Sequence, residues 1–128
     1  LFGCGGDRDH TKRPLMAAVA AKYADVIYLT SDNSRSEDRD VIIGEILEGV
    51  DPKTPYHILP DRAEAIGYAV MNARAGDVVL LAGKGHEEYE IDRTGRKYFS
   101  EKIRRKAGRT TQDAGPYEQL FQARKRTC

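Results

Sequence analysis

Apolar positions in this chain fall into two alternating patterns, short unbroken runs and longer stretches with helical spacing, and their order predicts the architecture. The first run is the start of the sequence itself. It ends in the glycine-rich turn Gly3-Cys4-Gly5-Gly6-Asp7-Arg8-Asp9. A helix is expected next, with Arg13-Pro14 in its first turn and Leu15, Met16, Val19, Ala20 and Tyr23 as its buried stripe. The run Val26-Ile27-Tyr28-Leu29 reads as a strand, followed by a helix from near Glu37 that buries Ile42, Ile43, Ile46, Leu47 and Val50 and stops near Gly49 to Pro52. A short strand around Tyr56 to Leu59 then ends at Pro60. Asp61 and Glu64 have cap spacing for a third helix over 62–74, with Ile66, Val70 and Ala73 inward and Gly76 as its stop. Val78-Val79-Leu80-Leu81-Ala82 is the most continuous run and predicts a central strand covered on both faces. Last comes a hairpin, 88–91 with 97–99, across Thr94-Gly95. Strand, loop and helix repeating with short connections give an α/β fold: a Rossmann-like, mostly parallel sheet with helices on both faces, ending in a β-hairpin.

In such sheets ligands collect outside the carboxyl ends of the strands, where loops and helix N-termini converge. The loop leaving the Val26–Leu29 strand is Thr30-Ser31-Asp32-Asn33-Ser34-Arg35. It suits a small zwitterion. Arg35 can grip a carboxylate bidentately, and Asp32 with the Asn33 carbonyl can accept from an ammonium. The same residues also serve as ordinary turn formers, and Ser34 with Glu37 has capping-box spacing. A second polar loop, Gly83-Lys84-Gly85-His86-Glu87, leaves the 78–82 run, and strands of one sheet bring both loops to one crevice. Arg8 belongs on the same rim. Neither glycine-rich turn completes a nucleotide fingerprint: Arg8 stands where a dinucleotide turn needs its third glycine, and no Ser or Thr follows Lys84 as in a P-loop. A nest of backbone N–H groups remains open as an alternative use of the first turn.

At 128 residues the chain has the length of one domain, and its 32% charged and 8% aromatic residues fit a soluble protein. No run approaches membrane-spanning length, no signal peptide is evident, and the first residue is not Met, so a piece of something longer is expected. Cys4 and Cys128 lie too far apart in sequence to suggest a disulfide framework or a metal site, which favours a reducing compartment. The charge divides the chain. Residues 1–100 carry 13 basic and 17 acidic side chains, net −4, whereas 101–128 carry 8 and 3, net +5. The basic run Lys102, Arg104, Arg105, Lys106 and Arg109 has no interleaved aromatics, so a solvated or disordered tail is expected rather than nucleic-acid binding; Tyr117, Leu120 and Phe121 suit a short amphipathic turn.

Four motifs together resemble one family. Gly3–Asp9, Lys12-Arg13-Pro14-Leu15-Met16, Ser31-Asp32-Asn33-Ser34-Arg35-Ser36-Glu37-Asp38 and Ala82-Gly83-Lys84-Gly85-His86-Glu87 resemble, in order and spacing, the C-terminal domain of the Mur ligases, specifically of the type that uses meso-diaminopimelate. The resemblance covers about residues 1–100 and leaves 101–128 as a basic tail unlike the family's final helix. It implies a cytoplasmic ATP-dependent amide ligase of peptidoglycan synthesis, in which this domain orients the diaminopimelate amine toward the acyl phosphate of UDP-MurNAc-L-Ala-D-Glu. It further implies that ATP and Mg2+ are bound mainly by other domains, and that the chain alone is inactive. By the same resemblance Asp32, Asn33, Ser34 and Arg35 match the family's Asp-Asn-Pro-Arg motif, with Arg35 on the distal carboxylate and Arg8 on the other. Gly83 and Glu87 match residues at the distal amino and carboxyl groups, and Asp7 an acidic residue turned toward the nucleotide. Ser34 replaces the family proline, which frees φ and adds an N–H. Two alternatives stay open: a related ligase domain that uses L-lysine, and a non-catalytic Rossmann- or flavodoxin-like module for a nucleotide or small ligand.

Overall fold

The first residues of the chain lie inside a parallel sheet. In the computed structural model, which describes residues 1–101, Phe2 bridges in parallel to Leu29, donating to Tyr28 O at 3.0 Å and accepting from Thr30 N at 3.1 Å. On the other edge of β1 (Ile27–Leu29) lies β2 (Tyr56–Ile58), parallel, with Tyr28 opposite His57. Alternation along β1 then sets both faces. Ile27 and Leu29 are buried with Phe2, Cys4 and Ala17 and with Ile42, Ile43 and Ile46 of α2 (Arg39–Leu47), whereas Tyr28 and His57 stack at 5.1 Å and meet Tyr68 of α3 (Arg62–Asn72). Helices therefore cover both faces, as the sequence predicts. The hairpin is also where it is expected, β3 (Tyr89–Asp92) against β4 (Gly95–Tyr98), with its two-residue turn at Arg93-Thr94, one position earlier than predicted.

Helix α3 starts as predicted, with the Asp61 carboxylate accepting from Glu64 N at 2.9 Å, and ends at Asn72, two residues early. Helix α2 begins later than expected. Its cap is Asp38, whose side chain accepts from Asp40 N, so Ser34 and Glu37 form no capping box and are free for other work.

Two expectations about burial fail. In α1 (Lys12–Tyr23) the inward residues are Arg13 and Ala17, and the predicted stripe, Ala20 apart, faces out, with Leu15 63%, Val19 59% and Tyr23 77% exposed. The cause is Arg13. Its guanidinium reaches Glu37 and Glu45, which fixes the rotation of the helix and leaves only the small Ala17, Ala20 and Ala21 against the core. The run 78–82 is not a doubly covered strand: Val78 is 90% and Leu80 71% exposed. It lies beside residue 1, with Leu80 O accepting from Leu1 N at 2.8 Å and Ala82 N donating to Leu1 O at 3.0 Å. Segments 80–82 and 1–2 thus lie side by side with β1 and β2, in that order. The outward face of α1 and Val26, Val78 and Leu80 line an apolar groove of about 1000 Å³. The basic tail and its amphipathic turn, expected over 101–128, fall almost wholly outside the described residues.

Cys4 belongs to the core, its Sγ 3.6 Å from Met16 Sδ, and burial pushes its thiol up to about 11. Because only the thiolate is nucleophilic, Cys4 is expected to resist iodoacetamide at pH 8 in the native chain and to react in denaturant. Peptide mass mapping separates it from Cys128.

Candidate functional site

Three loops meet at the carboxyl ends of these strands: the turn 3–9, the loop 30–37 and the turn 83–87. Their closeness is a backbone matter first. Gly6 N donates to Asn33 O at 2.7 Å, and a Cβ on Gly6 would land inside the Ser34 carbonyl, so only glycine lets the first two loops touch. Gly83, at φ +103, turns the third loop beside Asp32, whose Oδ2 would be 3.4 Å from a Cβ there. The hairpin closes the far side, with Arg35 N donating to Ile91 O at 3.1 Å and Ser31 Oγ to Glu90 at 2.6 Å.

Arg35 has φ 51, a left-handed conformation that costs a non-glycine residue about 1–2 kcal/mol and is retained where the surroundings demand it. Here it turns the side chain back over the glycine turn. Nη1 donates to Gly6 O at 2.9 Å and to Asn33 O at 3.4 Å, which holds the plane of the guanidinium and leaves Nε and Nη2 without a partner among the described residues. No carboxylate among the described residues pairs with Arg35 or with the exposed Arg8. Two guanidinium groups on one rim, both without acids, present a surface for carboxylates.

The acceptors lie deeper. Asp32 Oδ1 takes Asn33 N at 2.7 Å and Lys84 Nζ at 3.1 Å, which leaves Oδ2 free. Glu87 Oε2 takes Asn33 Nδ2 at 3.4 Å and lies 3.8 Å from Lys84 Nζ, which leaves Oε1 free. Asn33 itself is used up. Its Oδ1 already accepts from Lys84 Nζ at 3.1 Å and Ile91 N at 2.9 Å, so the expected acceptance from a ligand ammonium has no lone pair to use. Asn33 pins the hairpin and the third loop to the second instead. Ser34 is buried, and its carbonyl packs on Gly6 and accepts from Glu37 N. Asp7, exposed and at φ 56, turns its carboxylate to Ser36, accepting from the hydroxyl at 2.5 Å and from N at 3.3 Å, and so ties two loops together.

Three residues that the sequence did not place in the site organise it. Lys84 is fully buried against Asp32, Asn33 and Glu87. Arg62, equally buried, donates to Ser31 O at 3.0 Å, Ala82 O at 2.9 Å and Glu101 Oε1 at 2.7 Å, and so joins the roots of the second and third loops. The third is Glu37. Its Oε2 accepts from Asp7 N at 2.6 Å and from Arg13 Nη2 at 2.7 Å, linking the glycine turn to the second loop.

The Arg13 guanidinium, and then the Asp7 N–H, hold the Glu37 carboxyl down from 4.5 to about 2. A folded-state pKa below the unfolded one means that this cluster stabilises the fold fully above pH 4.5 and loses that contribution as pH falls from 4.5 to about 2. Glu37→Gln is therefore expected to be less stable at pH 7 and to lose less on acidification through that window. Urea midpoints measured between pH 2 and 7 check both the offset and the flatter slope.

A parallel sheet covered on both faces, with three loops bringing together acid-free guanidinium groups and free acid oxygens, defines an α/β domain of Rossmann-like type. The sequence profile described as "Mur ligase, glutamate ligase domain" matches residues 1–85, and the chain belongs to the Mur ligase family. It is 60% identical over 90 residues to the UDP-N-acetylmuramoyl-L-alanyl-D-glutamate–2,6-diaminopimelate ligase of Chromobacterium violaceum, covering 70% of this chain and 18% of that protein. Against the ligase of the same name from Clostridioides difficile it is 50% identical over 103 residues, 80% of this chain and 21% of that protein. A solved structure of a ligase of this name superposes with a TM-score of 0.79 at 38% identity, over 95% of this chain and 23% of the other. The chain thus spans about a fifth of the length of these relatives.

Proposed function

We propose that this chain is the part of a peptidoglycan ligase that holds meso-diaminopimelate and orients its amine toward the activated D-glutamate carboxylate of UDP-MurNAc-L-Ala-D-Glu. One observation carries the reading. The partly free guanidinium of Arg35 shares a crevice with the free oxygens Asp32 Oδ2 and Glu87 Oε1, which is the charge pattern of an amino-acid end: anion to Arg35, ammonium to the acids. Arg8 on the rim suits the second carboxylate of the same ligand. Gly83 matters by its φ of +103, which a residue with a side chain adopts only under strain.

Catalysis by such a domain is positional. Fixing an amine against an acyl phosphate removes translational and rotational freedom from the reaction, an effect worth several kcal/mol, on the order of 7–11 at best. ATP and Mg2+ would supply the activation of the carboxylate, and the turn at Lys84 lacks the P-loop pattern that would cradle a triphosphate here. Both are assigned to the parts of the ligase that this chain does not match. Cytoplasmic residence belongs to the same proposal. Among the described residues no helix is long and apolar enough to cross a membrane.

The test is a calorimetric titration of the full chain with meso-diaminopimelate and, separately, with AMP. Saturable binding of diaminopimelate and none of AMP is expected. The reverse result would return the chain to the class of nucleotide-binding modules.

A further inference from the structure

Lys84 sits at the centre of the crevice but cannot touch a ligand. Its side chain is fully buried, and its ammonium faces Asp32 Oδ1 at 3.1 Å, Asn33 Oδ1 at 3.1 Å and Glu87 Oε2 at 3.8 Å, with the Phe99 ring 5.8 Å away. Two of the ammonium's three N–H donors are hydrogen-bonded and the third faces the Glu87 carboxylate at ion-pair distance. Burial keeps the ammonium from a ligand in the crevice.

We propose that Lys84 is the positioning residue that sets this site to accept a single ammonium group, an inference that rests on the function proposed above. The argument is one of charge and aim. Asp32 and Glu87 both lie within reach of one Lys84 nitrogen, so their near oxygens are at most about 7 Å apart. Two carboxylates that close in a part-buried site repel, and the Lys84 ammonium between them offsets that repulsion. The trio carries one net negative charge. That residue of charge matches one ligand ammonium.

Aim follows from which oxygens Lys84 takes. It binds Oδ1 of Asp32 and draws Oε2 of Glu87, and it thereby commits those atoms to the protein interior. Oδ2 and Oε1 are left for the crevice. Lys84 also fixes Asn33, which in turn donates to Glu87, so the two carboxylates are held by a shared pair of partners rather than independently. The flanking glycines make this placement available: Gly83 and Gly85, at φ +103 and +57, turn the backbone so that the lysine between them points inward while the chain on either side faces the opening.

The experiment titrates the full chain, as wild type and as Lys84→Met, with meso-diaminopimelate and with pimelate, which has the same carbon chain and both carboxylates but no ammonium. The wild type is expected to prefer diaminopimelate, and Lys84→Met to lose about tenfold or more in diaminopimelate affinity at pH 7.5 while pimelate affinity stays within about twofold. The ratio of the two affinities is a readout that a merely structural lysine would not move, since general loosening of the site weakens both ligands alike. If Lys84→Met does not fold, Lys84→Gln, which keeps a donor but removes the charge, is judged by the same ratio. An unchanged preference, or equal loss of both ligands in a folded variant, overturns the role of Lys84. Absence of any preference in the wild type overturns the proposed function instead.

Discussion

Replacing Arg35 by alanine is expected to erase most of the discrimination between meso-diaminopimelate and L-lysine. The two ligands share an α-amino-acid end and a terminal amine and differ in the distal carboxylate, so a residue that reads that group changes one affinity and spares the other. Loss of one partner of a desolvated charge pair costs about 2–5 kcal/mol, or roughly thirtyfold and upward in Kd. Arg35 is half-buried, which places the expectation toward the lower end of that range. Arg35→Lys should lose most of it too, because an ammonium cannot hold Gly6 O with one nitrogen and offer a planar fork with the rest. Titration of both ligands into the wild type and the two variants decides the matter, with thermal melts as the control for the lost Gly6 bond. Equal affinities before substitution, or an unchanged ratio after it, would mean that Arg35 does not read the distal carboxylate. Ser34, standing where the resemblance expects proline, would then be the first place to look.

The largest expected effect on stability is at Arg62. Its side chain is fully buried and meets Glu101, also fully buried, through Nε at 2.9 Å and Nη2 at 2.7 Å, while Nη1 and Nη2 serve the Ser31 and Ala82 carbonyls. Arg62→Met takes the guanidinium away from a buried carboxylate and two backbone acceptors at once, a change that typically costs 3–5 kcal/mol, on the order of a third or more of a small domain's stability. Chemical denaturation should show this as a lower midpoint. The double variant Arg62→Met/Glu101→Met should recover much of the loss, because no charge is then buried. Ligand affinity should follow the single variant downward even where the chain is still folded, since Ser31 and Ala82 immediately precede Asp32 and Gly83.

The elements that were legible in the sequence are those whose signal is local. Asp61 with Glu64, the isoleucines of α2 and the turn before Gly95 each declare themselves within a few residues. The rotation of α1 did not, because it is decided by Arg13 reaching acids 24 and 32 residues away, and apolar spacing is blind to that. The same holds for the site. Arg8, Asp32, Arg35 and Glu87 stand out as polar residues in loops after apolar runs, whereas Lys84 looks like any turn lysine until its partners 51 and 52 residues upstream are known. Arg62 carried a faint signal. A cation in the first turn of a helix opposes the helix dipole, so its presence there calls for a compensating partner. Residues 78–82 misled for a different reason: a continuous apolar run shows that a surface prefers to be covered, not that it is.

The sheet order has a consequence for how this crevice comes into being. Residue 1 bonds to residues 80 and 82, and Phe2 to Leu29, so the strand lying between its neighbours is the earliest in the sequence and its last partner arrives some 79 residues later. Such pairings must first meet the entropy of closing a long loop, and chains dominated by them fold slowly. Helices α1, α2 and α3 and the hairpin can form from near neighbours, whereas the third loop meets the second only through contacts 51 and 52 residues apart in sequence. If those contacts form late, substitutions at Gly83 or Lys84 should speed unfolding more than they slow folding, and stopped-flow rates in denaturant check this.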